Sequence, residues 1–323
     1  MNARHSLYFP TKMKHKAAPD WKAEFWHLLL NADEQRAITI KRRQFPGRLF
    51  KLTRLTDYAL DSLKNEYLYL APINLLNEPF ENSLALTKRD YVIACMTQKK
   101  WFDDMKKTYG VEFTEKEICR ILESPYPYRV FVFLCEKKGA LITTSEDHFC
   151  SKYTTWADSI LDQQRNLNIC CLTERLDSVK MWSDYADQHR GICIEYDFSR
   201  SENTIYALMP VIYTVEAYQM NATKAASFNV KMSALTKSKR LQYEQEWRIM
   251  IIDKNPRKEH NVKATCIYIG SKINEADFPL LVQLMNLKIP IKQVVKHPIQ
   301  NKMVVNEIDL EAFKYELLRT APK

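Results

Sequence analysis

The sequence contains very little glycine, and its few glycines are far apart. Only 5 occur in 323 residues, where average usage would give roughly 23. A phosphate-binding loop needs several glycines within about eight residues, because the backbone must turn tightly and approach the phosphate. The glycine count therefore excludes both the P-loop and the Gly-x-Gly-x-x-Gly dinucleotide motif. Any bound nucleotide must then be held by side chains.

Long apolar runs and paired cysteines are also absent. No apolar run approaches the 18 or more residues that a membrane-spanning helix requires, and the first residues lack the apolar core of a signal peptide. The 8 cysteines form no Cys-x-x-Cys pair, and no group of histidines and cysteines has the spacing of a four-ligand zinc site. Most cysteines stand in apolar strings, which favours buried reduced thiols. We therefore expect a cytoplasmic protein with no metal and no membrane contact.

The basic residues are concentrated near the N-terminus. Of the net charge of +9, residues 1–54 carry +8, from 12 basic and 4 acidic residues. Lys41, Arg42 and Arg43 form the densest group and are candidates for nucleic-acid binding. A basic arm on a near-neutral body predicts contact with a polyanion, most often nucleic acid. The alternatives are a solvated extension or a helix docked on an acidic surface, and the three residues also suit the C-terminal end of a helix dipole.

The hydrophobic pattern predicts an α+β protein. One helix is predicted over 20–44, and residues 1–48 form a basic N-terminal extension. Residues 49–323 are predicted to form a single domain with a helical insertion at about 87–165, in which 129–136 could instead be a strand. Further helices are predicted at 57–66, 178–189, 222–240 and 274–287. Strands are predicted at 49–54, 67–70, 167–173, 191–197, 206–214, 244–253, 264–270, 291–297 and 302–309.

A loop rich in turn formers follows the second predicted strand. It reads Asn77-Glu-Pro-Phe-Glu81, in which Asn77 and Pro79 favour a turn and Phe80 would anchor the loop in the core. Asn77 and Glu81 could line a pocket beside the strand. The loop could equally be a tight buried turn without a binding role.

A second motif places two aromatic residues and a histidine along one helix. Trp182, Tyr185 and His189 fall on one stripe of the predicted helix, and Gly191 stands where the helix must end, in a position that favours left-handed geometry. Such a group could stack on a base or a nicotinamide ring and donate one hydrogen bond. The same stripe is also typical of a helix face that packs into the core.

The third motif is a pair of glutamates in an otherwise apolar strand. In the predicted strand, Glu244, Glu246 and Arg248 share one face. Unpaired carboxylates each cost several kcal/mol to bury, although Arg248 can neutralise one of them. A structural ion-pair ladder is one interpretation. The other is a cleft in which one glutamate stabilises developing positive charge and the other transfers a proton.

These motifs together resemble a bacterial family, the domain of unknown function numbered 2971. The resemblance rests on Leu49–Arg54, on Tyr67–Leu70 leading to Asn77–Glu81, on Cys171–Glu174, on Met181–Tyr196 and on Tyr243–Arg248. These segments span about residues 49–255 in the expected order. Glu78 departs from the family, which more often has Asp there. The basic arm lies outside the resemblance.

The layout also resembles, more remotely, the ADP-ribosyltransferase fold. That resemblance implies a split or mixed β-sheet with a cleft that holds NAD, as a substrate, without a glycine-rich loop. It implies that Glu246 is the transition-state glutamate and that Glu244 orients or deprotonates the acceptor. Lys51 or Arg54 would lie on the early strand and Tyr69 on the next. The candidate NAD-binding residues are then Lys51, Arg54, Tyr69, Asn77, Trp182, Tyr185, His189 and Arg248.

The hypothesis from sequence is therefore transfer of ADP-ribose from NAD to a nucleic-acid or protein acceptor. A toxin or anti-phage effector with an antitoxin or defence partner would fit this chemistry. One alternative is a non-enzymatic nucleic-acid or protein-binding module of a defence system. A second alternative is a metal-dependent nuclease, because Glu136-Lys-Lys138 has an acid-x-lysine form with Asp103 or Asp104 as partners.

Overall fold

The computed structural model describes residues 20–31, 33–76, 83–98, 100–198, 207–255, 257–273, 275–309 and 313. The loop with Asn77, Phe80 and Glu81 lies outside these residues. The chain divides into two compact units. The unit termed the sheet unit comprises residues 19–78, 166–216 and 235–323, and the helical unit comprises 1–18, 79–165 and 217–234.

Helices and strands alternate in an order that confirms the mixed α+β class. The helices are α1 (Trp21–Leu30), α2 (Glu34–Gln44), α3 (Asp57–Lys64), α4 (Lys88–Met96), α5 (Trp101–Tyr109), α6 (Glu115–Glu123), α7 (Pro127–Lys137), α8 (Glu146–Phe149), α9 (Tyr153–Arg165), α10 (Val179–Tyr185), α11 (Ala226–Leu235) and α12 (Phe278–Met285). The strands are β1 (Arg48–Thr53), β2 (Tyr67–Pro72), β3 (Leu167–Thr173), β4 (Ile192–Asp197), β5 (Met209–Pro210), β6 (Ile212–Thr214), β7 (Thr236–Ser238), β8 (Glu246–Ile252), β9 (Arg257–His260), β10 (Ala264–Ile269), β11 (Ile291–Lys296) and β12 (Met303–Asn306). All of these strands belong to the sheet unit.

The N-terminal segment forms two helices, so the prediction of one helix over 20–44 is wrong. Asp20 caps α1 as predicted, by accepting a hydrogen bond from the backbone N–H of Lys22 at 3.1 Å. Asp33 then caps a second helix. Trp21 packs on Trp247 of β8 with ring centroids 5.9 Å apart. The N-terminal helices are thus attached to the sheet by aromatic contacts.

Strand β3 pairs with three other strands of the sheet. One edge of β3 pairs with β8 along its whole length, from Leu167 with Ile252 to Thr173 with Glu246. The other edge is shared: β1 pairs at Thr173, whereas β2 pairs at Ile169 and Asn168. Strands β1 and β2 therefore pair with different ends of this edge of β3. The sheet is open and mixed, since β10 and β11 are parallel and its other pairs are antiparallel.

Helices cover both faces of this sheet. The order continues from β1 through β4, β10 and β11 to β12, and β5 borders β8 on its outer edge. On one face, Leu49, Leu172 and Trp247 pack with Leu60 of α3 and Leu281 of α12. On the other face, Trp182 of α10 packs in a smaller apolar cluster with Cys193 and Tyr268. Each strand alternates between the two faces, so neighbouring residues have different surroundings.

The helical unit contains α4 to α9 and most of α11. Its core is aromatic: Tyr91 lies 5.6 Å from Trp156 and Trp101 lies 4.9 Å from Phe131, measured between ring centroids. Thr87 and Thr114 begin α4 and α6 with capping boxes. Residues 129–136 lie within α7, so the strand alternative for them is wrong.

Candidate functional site

The sheet unit buries four charged side chains in one group. Lys237, Glu244, Glu246 and Arg248 are 3%, 2%, 5% and 0% exposed. These four residues are termed the ion cluster. Burying an ion costs several kcal/mol unless an opposite charge and hydrogen bonds compensate it. The contacts within the cluster therefore decide what it can do.

Glu244 does not lie on the strand that carries Glu246, so that part of the strand prediction is wrong. Lys239–Glu244 forms a 3-10 helix, and Gln245 follows with a left-handed φ of 46°. Strand β8 begins only at Glu246. The hydroxyl of Thr173 donates a hydrogen bond to the carbonyl of Glu244, which fixes this turn against β3. The backbone thus brings Glu244 to the cluster from outside the sheet ladder.

A single lysine joins the two carboxylates. Lys237 Nζ lies 2.6 Å from Glu244 Oε2 and 2.8 Å from Glu246 Oε2. Arg248 binds Glu246 through two nitrogens, with Nε 2.8 Å from Oε1 and Nη2 2.9 Å from Oε2. Such paired charge-assisted hydrogen bonds are among the strongest in proteins. Two cations therefore balance two carboxylates, and Glu246 is held by both of its oxygens.

Sequence reasoning missed Lys237 because it fell inside the predicted helix over 222–240. Helix α11 ends at Leu235, and Lys237 lies on the short strand β7, which pairs in parallel with β6. The available signal was a lysine directly after the apolar end of a helix. Such a lysine is either solvated or buried with a partner, and the sequence does not name the partner.

The two glutamates have pKa values shifted in opposite directions. Burial alone would raise the pKa of Glu246, but Arg248 and then Lys237 outweigh burial and hold it at about 2. Burial raises the pKa of Glu244 above its ordinary value, because Lys237 offsets the burial only in part. Carboxyl pairs whose pKa values are pushed apart are typical of acid–base sites. Glu246 is thus a fixed negative charge, and Glu244 is the better proton acceptor.

Tyr185 connects Glu244 to the protein surface. Its hydroxyl donates a hydrogen bond to Glu244 Oε1 at 3.0 Å, and the residue is 36% exposed. Tyr213 accepts a hydrogen bond from the backbone N–H of Glu246 at 2.8 Å. Burial raises the pKa of the Cys171 thiol, which hydrogen-bonds Glu246, well above its ordinary value. Tyr185 is therefore the partly exposed residue through which the surface is linked to the buried Glu244.

Three predicted NAD-binding residues have contacts outside the ion cluster, although Lys51 is close enough for the charge of Glu246 to act on it. Lys51 Nζ is 3.6 Å from Cys170 Sγ, and Cys170 belongs to the sheet face opposite Glu246. Arg54 is exposed and forms an ion pair with Asp187 at 3.8 Å. Tyr69 lies on β2, where it pairs with Lys258 of β9. Of the remaining candidates, Asn77 lies outside the described residues.

Trp182 and His189 have different surroundings from each other. Trp182 is fully buried and its Nε1 donates to the carbonyl of Leu176 at 2.7 Å, so its ring packs in the core and is not open to a ligand. His189 lies beyond the end of α10, with a left-handed φ of 73°.

The predicted left-handed geometry of Gly191 is wrong. Glycine is needed there because a Cβ would overlap the carbonyl of Thr53.

The predicted nucleic-acid contacts are divided between the core and the surface. Lys41 is buried, and its Nζ donates to the carbonyl of Leu208 at 3.0 Å. Burial lowers the pKa of Lys41 to about 8. Its charge is therefore not presented to a polyanion, contrary to the prediction. Arg42 and Arg43 are exposed at the end of α2.

Neither a metal site nor a membrane helix is found in the part of the chain that the structure describes. No group of three or more histidine, cysteine, aspartate or glutamate residues could hold a metal ion there. Glu136 lies on α7, and the neighbouring Lys138 forms an ion pair with Glu117 at 3.0 Å. Within the same residues, every helix is too short or too polar to cross a bilayer.

The comparisons with known proteins concern the segment that builds this cluster. A family model described as "Protein of unknown function (DUF2971)" matches residues 181–249. The matched segment contains Tyr185 and all four residues of the ion cluster. No curated protein and no solved structure matches the chain. The chain is thus similar to this family over the segment that contains the candidate site.

Proposed function

We propose that the protein is an ADP-ribosyltransferase-like enzyme that transfers ADP-ribose from NAD to a macromolecular acceptor. One observation carries the proposal. A glutamate with a raised pKa, Glu244, is hydrogen-bonded to the partly exposed Tyr185, while Glu246 beside it is fixed by two cations. This arrangement supports proton transfer at the Tyr185 end of the cluster. A toxin or anti-phage effector is the role that we infer for such a transferase.

The sheet lends this proposal geometric support. Strands β1 and β2 pair with different ends of one edge of β3, and a gap between two strands is a place where a ligand cleft can form. The scarcity of glycine is consistent with a nucleotide held by side chains. Of the side chains suggested for NAD, Tyr185 and His189 are accessible near this end of α10. These two residues fit a ligand that approaches the C-terminal end of α10.

The proposal keeps the role that the resemblance implies for Glu244, deprotonation of the acceptor, and changes the role of Glu246. Both oxygens of Glu246 are bound by Arg248, and one of them also by Lys237. Glu246 therefore acts as a fixed negative charge beside the reacting groups. Glu244 is bound by Lys237 at Oε2 and by the partly exposed Tyr185 at Oε1, so the proton of the acceptor must reach it from the Tyr185 side. The glycosidic bond between ribose and nicotinamide breaks, and its electron pair leaves with nicotinamide. The acceptor forms the new bond to the same carbon and gives its proton to Glu244.

Incubation with labelled NAD and a cell extract tests this proposal. We expect wild type to transfer label and Glu244→Gln to transfer it about 10² to 10⁴ times more slowly, as is typical for the loss of a general base. Tyr185→Phe removes one hydrogen bond to a charged group and should slow transfer about tenfold.

Glu195→Gln is the matched control for that experiment. Glu195 is as buried as Glu246 and accepts hydrogen bonds from Tyr268 at 2.7 Å and Thr265 at 2.9 Å. It makes these contacts on β4 and β10, outside the ion cluster, so transfer should be unchanged. Equal transfer by wild type and Glu244→Gln would overturn the proposal.

A non-enzymatic binding module is the second candidate, and one observation favours it. Every member of the ion cluster is at most 5% exposed and has an opposite charge within 3 Å. Such a cluster can be purely structural. The exposed Arg42 and Arg43 would then contact nucleic acid. Binding that falls steeply with salt, and that is lost in Arg42→Ala/Arg43→Ala but kept in Glu244→Gln, would support this candidate.

A further inference from the structure

The turn after α10 lies where basic side chains collect at one end of the sheet. Strand β1 ends just before Arg54, and Arg190 precedes β4, which pairs with β1 at Thr53 and Ile192. Lys272 follows the end of strand β10, and Lys296 is the last residue of β11, which runs parallel to β10. All four basic residues are exposed. In the described part of the chain, Asp187 is the acid that pairs with Arg54 and Arg190.

The turn itself has an unusual and fixed backbone. Asp187, Gln188 and His189 are three consecutive residues with left-handed φ values of 47°, 53° and 73°. Each such conformation costs about 1–3 kcal/mol in residues other than glycine, and strain of this kind is concentrated at functional sites. The backbone N–H of His189 donates to the carbonyl of Trp182 at 3.1 Å. The strain is therefore maintained by contacts with α10.

Close packing of the neighbouring glycine also fixes the position of His189. A Cβ on Gly270 would overlap the carbonyl of His189. The chain after β10 can therefore pack this closely against the turn only because residue 270 has no side chain. The same carbonyl accepts a hydrogen bond from the backbone N–H of Lys272 at 3.0 Å. His189 and Lys272 are thus held side by side. Two of the five glycines in the chain, Gly191 and Gly270, are used at this turn.

Two lysines act on His189 and have no carboxylate partner in the part of the chain that the structure describes, where Asp187 pairs with Arg54 and Arg190 instead. Burial, then Lys272 and Lys296, lower the pKa of His189, so both lysines lie close enough to act on its ring. Among the described residues, neither lysine forms an ion pair with a carboxylate. The Nδ1 atom of His189 is buried, and it has no hydrogen-bond partner among the residues that the structure describes. The half-buried ring therefore has its Nε2 edge to offer a ligand.

We propose that His189, Lys272 and Lys296 bind the diphosphate group of the nucleotide substrate. The identity of the ligand rests on the proposed function, whereas the affinity for diphosphate does not. Two ammonium groups and an imidazole N–H supply the charge and donors that a glycine-rich loop supplies from its backbone. The site explains why the chain keeps a strained turn beside two close-packed glycines.

Titration calorimetry with inorganic pyrophosphate, and separately with ADP-ribose, tests the site. The variant is Lys272→Ala/Lys296→Ala, which removes two exposed side chains. The matched control is Lys64→Ala/Lys263→Ala, which removes the same charge from exposed lysines near α3. We expect at least a tenfold weaker affinity for pyrophosphate in the first variant and less than a twofold change in the control. No binding by wild type, or equal weakening in both variants, would overturn the site.

A second readout reports on the histidine directly. Pyrophosphate should raise the pKa of His189, followed by NMR of labelled histidine, because a bound anion offsets the two lysines. An unchanged pKa in the presence of saturating pyrophosphate contradicts the assignment of His189. If pyrophosphate binds as expected but no ADP-ribose is transferred by wild type, the diphosphate site stands and the proposed function fails.

Discussion

The helical unit and the sheet unit treat charge in different ways. In the helical unit, the side chains of Glu117 and Lys138 form an ion pair that is 25% and 30% exposed. In the sheet unit, the corresponding values for Glu246 and Lys237 are 6% and 4%. Each ion pair of the described part of the helical unit has a partner that stays in contact with water, even where Asp90 itself is buried. The buried charges of the sheet unit carry a desolvation cost, and this cost indicates where function should be sought.

Removing Glu246 is expected to lower the free energy of unfolding more than any other change considered. Glu246→Ala removes the carboxylate that Arg248 binds through two nitrogens, while Lys237 keeps Glu244, and breaking a buried pair in this way costs about 3–5 kcal/mol. Lys138→Ala in the helical unit should cost less than about 1 kcal/mol, because its pair is partly solvated. Urea unfolding of both variants measures the contrast. Equal losses would show that burial does not distinguish the two units.

Acid should weaken the sheet unit through the same residue. The pKa of Glu246 falls from 4.5 to about 2 on folding, so its contribution is present above pH 4.5 and is lost as the pH falls towards 2. The loss amounts to about 3 kcal/mol for a shift of this size. Folding raises the pKa of Glu244, so its effect on stability has the opposite sign. Its contribution to stability is present at low pH and is lost as the pH rises through the folded pKa.

Unfolding free energies of wild type and Glu246→Gln between pH 2 and pH 6 measure this effect. The difference between the two proteins should shrink as the pH drops through that window. A difference that does not change with pH would mean that Glu246 is not held ionised by its two partners.

The smallest effect on stability is expected when the whole cluster is replaced. Substituting Lys237→Met, Glu244→Leu, Glu246→Leu and Arg248→Met together removes all four buried charges at similar volume. Such replacements are often neutral or stabilising by about 1–4 kcal/mol. The quadruple variant should therefore fold, keep its pyrophosphate affinity and lose ADP-ribose transfer. Full transfer by a folded quadruple variant would show that the cluster has no part in the chemistry.

Much of the fold could be predicted from local sequence patterns. Strand β3 was predicted with its observed bounds, Leu167–Thr173, because a short, mostly apolar run with β-branched and cysteine residues is typical of a buried strand. The break between α1 and α2 was missed because Asp33 is a cap within a pattern that stays helical on both sides. Caps of this kind depend on one side chain, and a pattern averaged over many residues conceals them.

The site was harder to predict because long-range contacts build it. Glu244 and Glu246 were identified from the cost of burying charge, and this argument does not depend on which element carries them. Lys237 was missed because its contacts with both glutamates depend on the end of α11 and on a left-handed Gln245. The sequence predicts buried charges, but the partners of each charge follow from the three-dimensional structure.

Release of nicotinamide from NAD, in the presence of cell extract, measures whether Glu244 takes part in the reaction. The assay compares wild type, Glu244→Gln and the buried control Glu195→Gln at equal concentrations of folded protein. We expect wild type and Glu195→Gln to release nicotinamide at the same rate and Glu244→Gln to release it at least 100 times more slowly, as for a missing general base. Release at equal rates by all three proteins, or by none of them, would contradict this expectation.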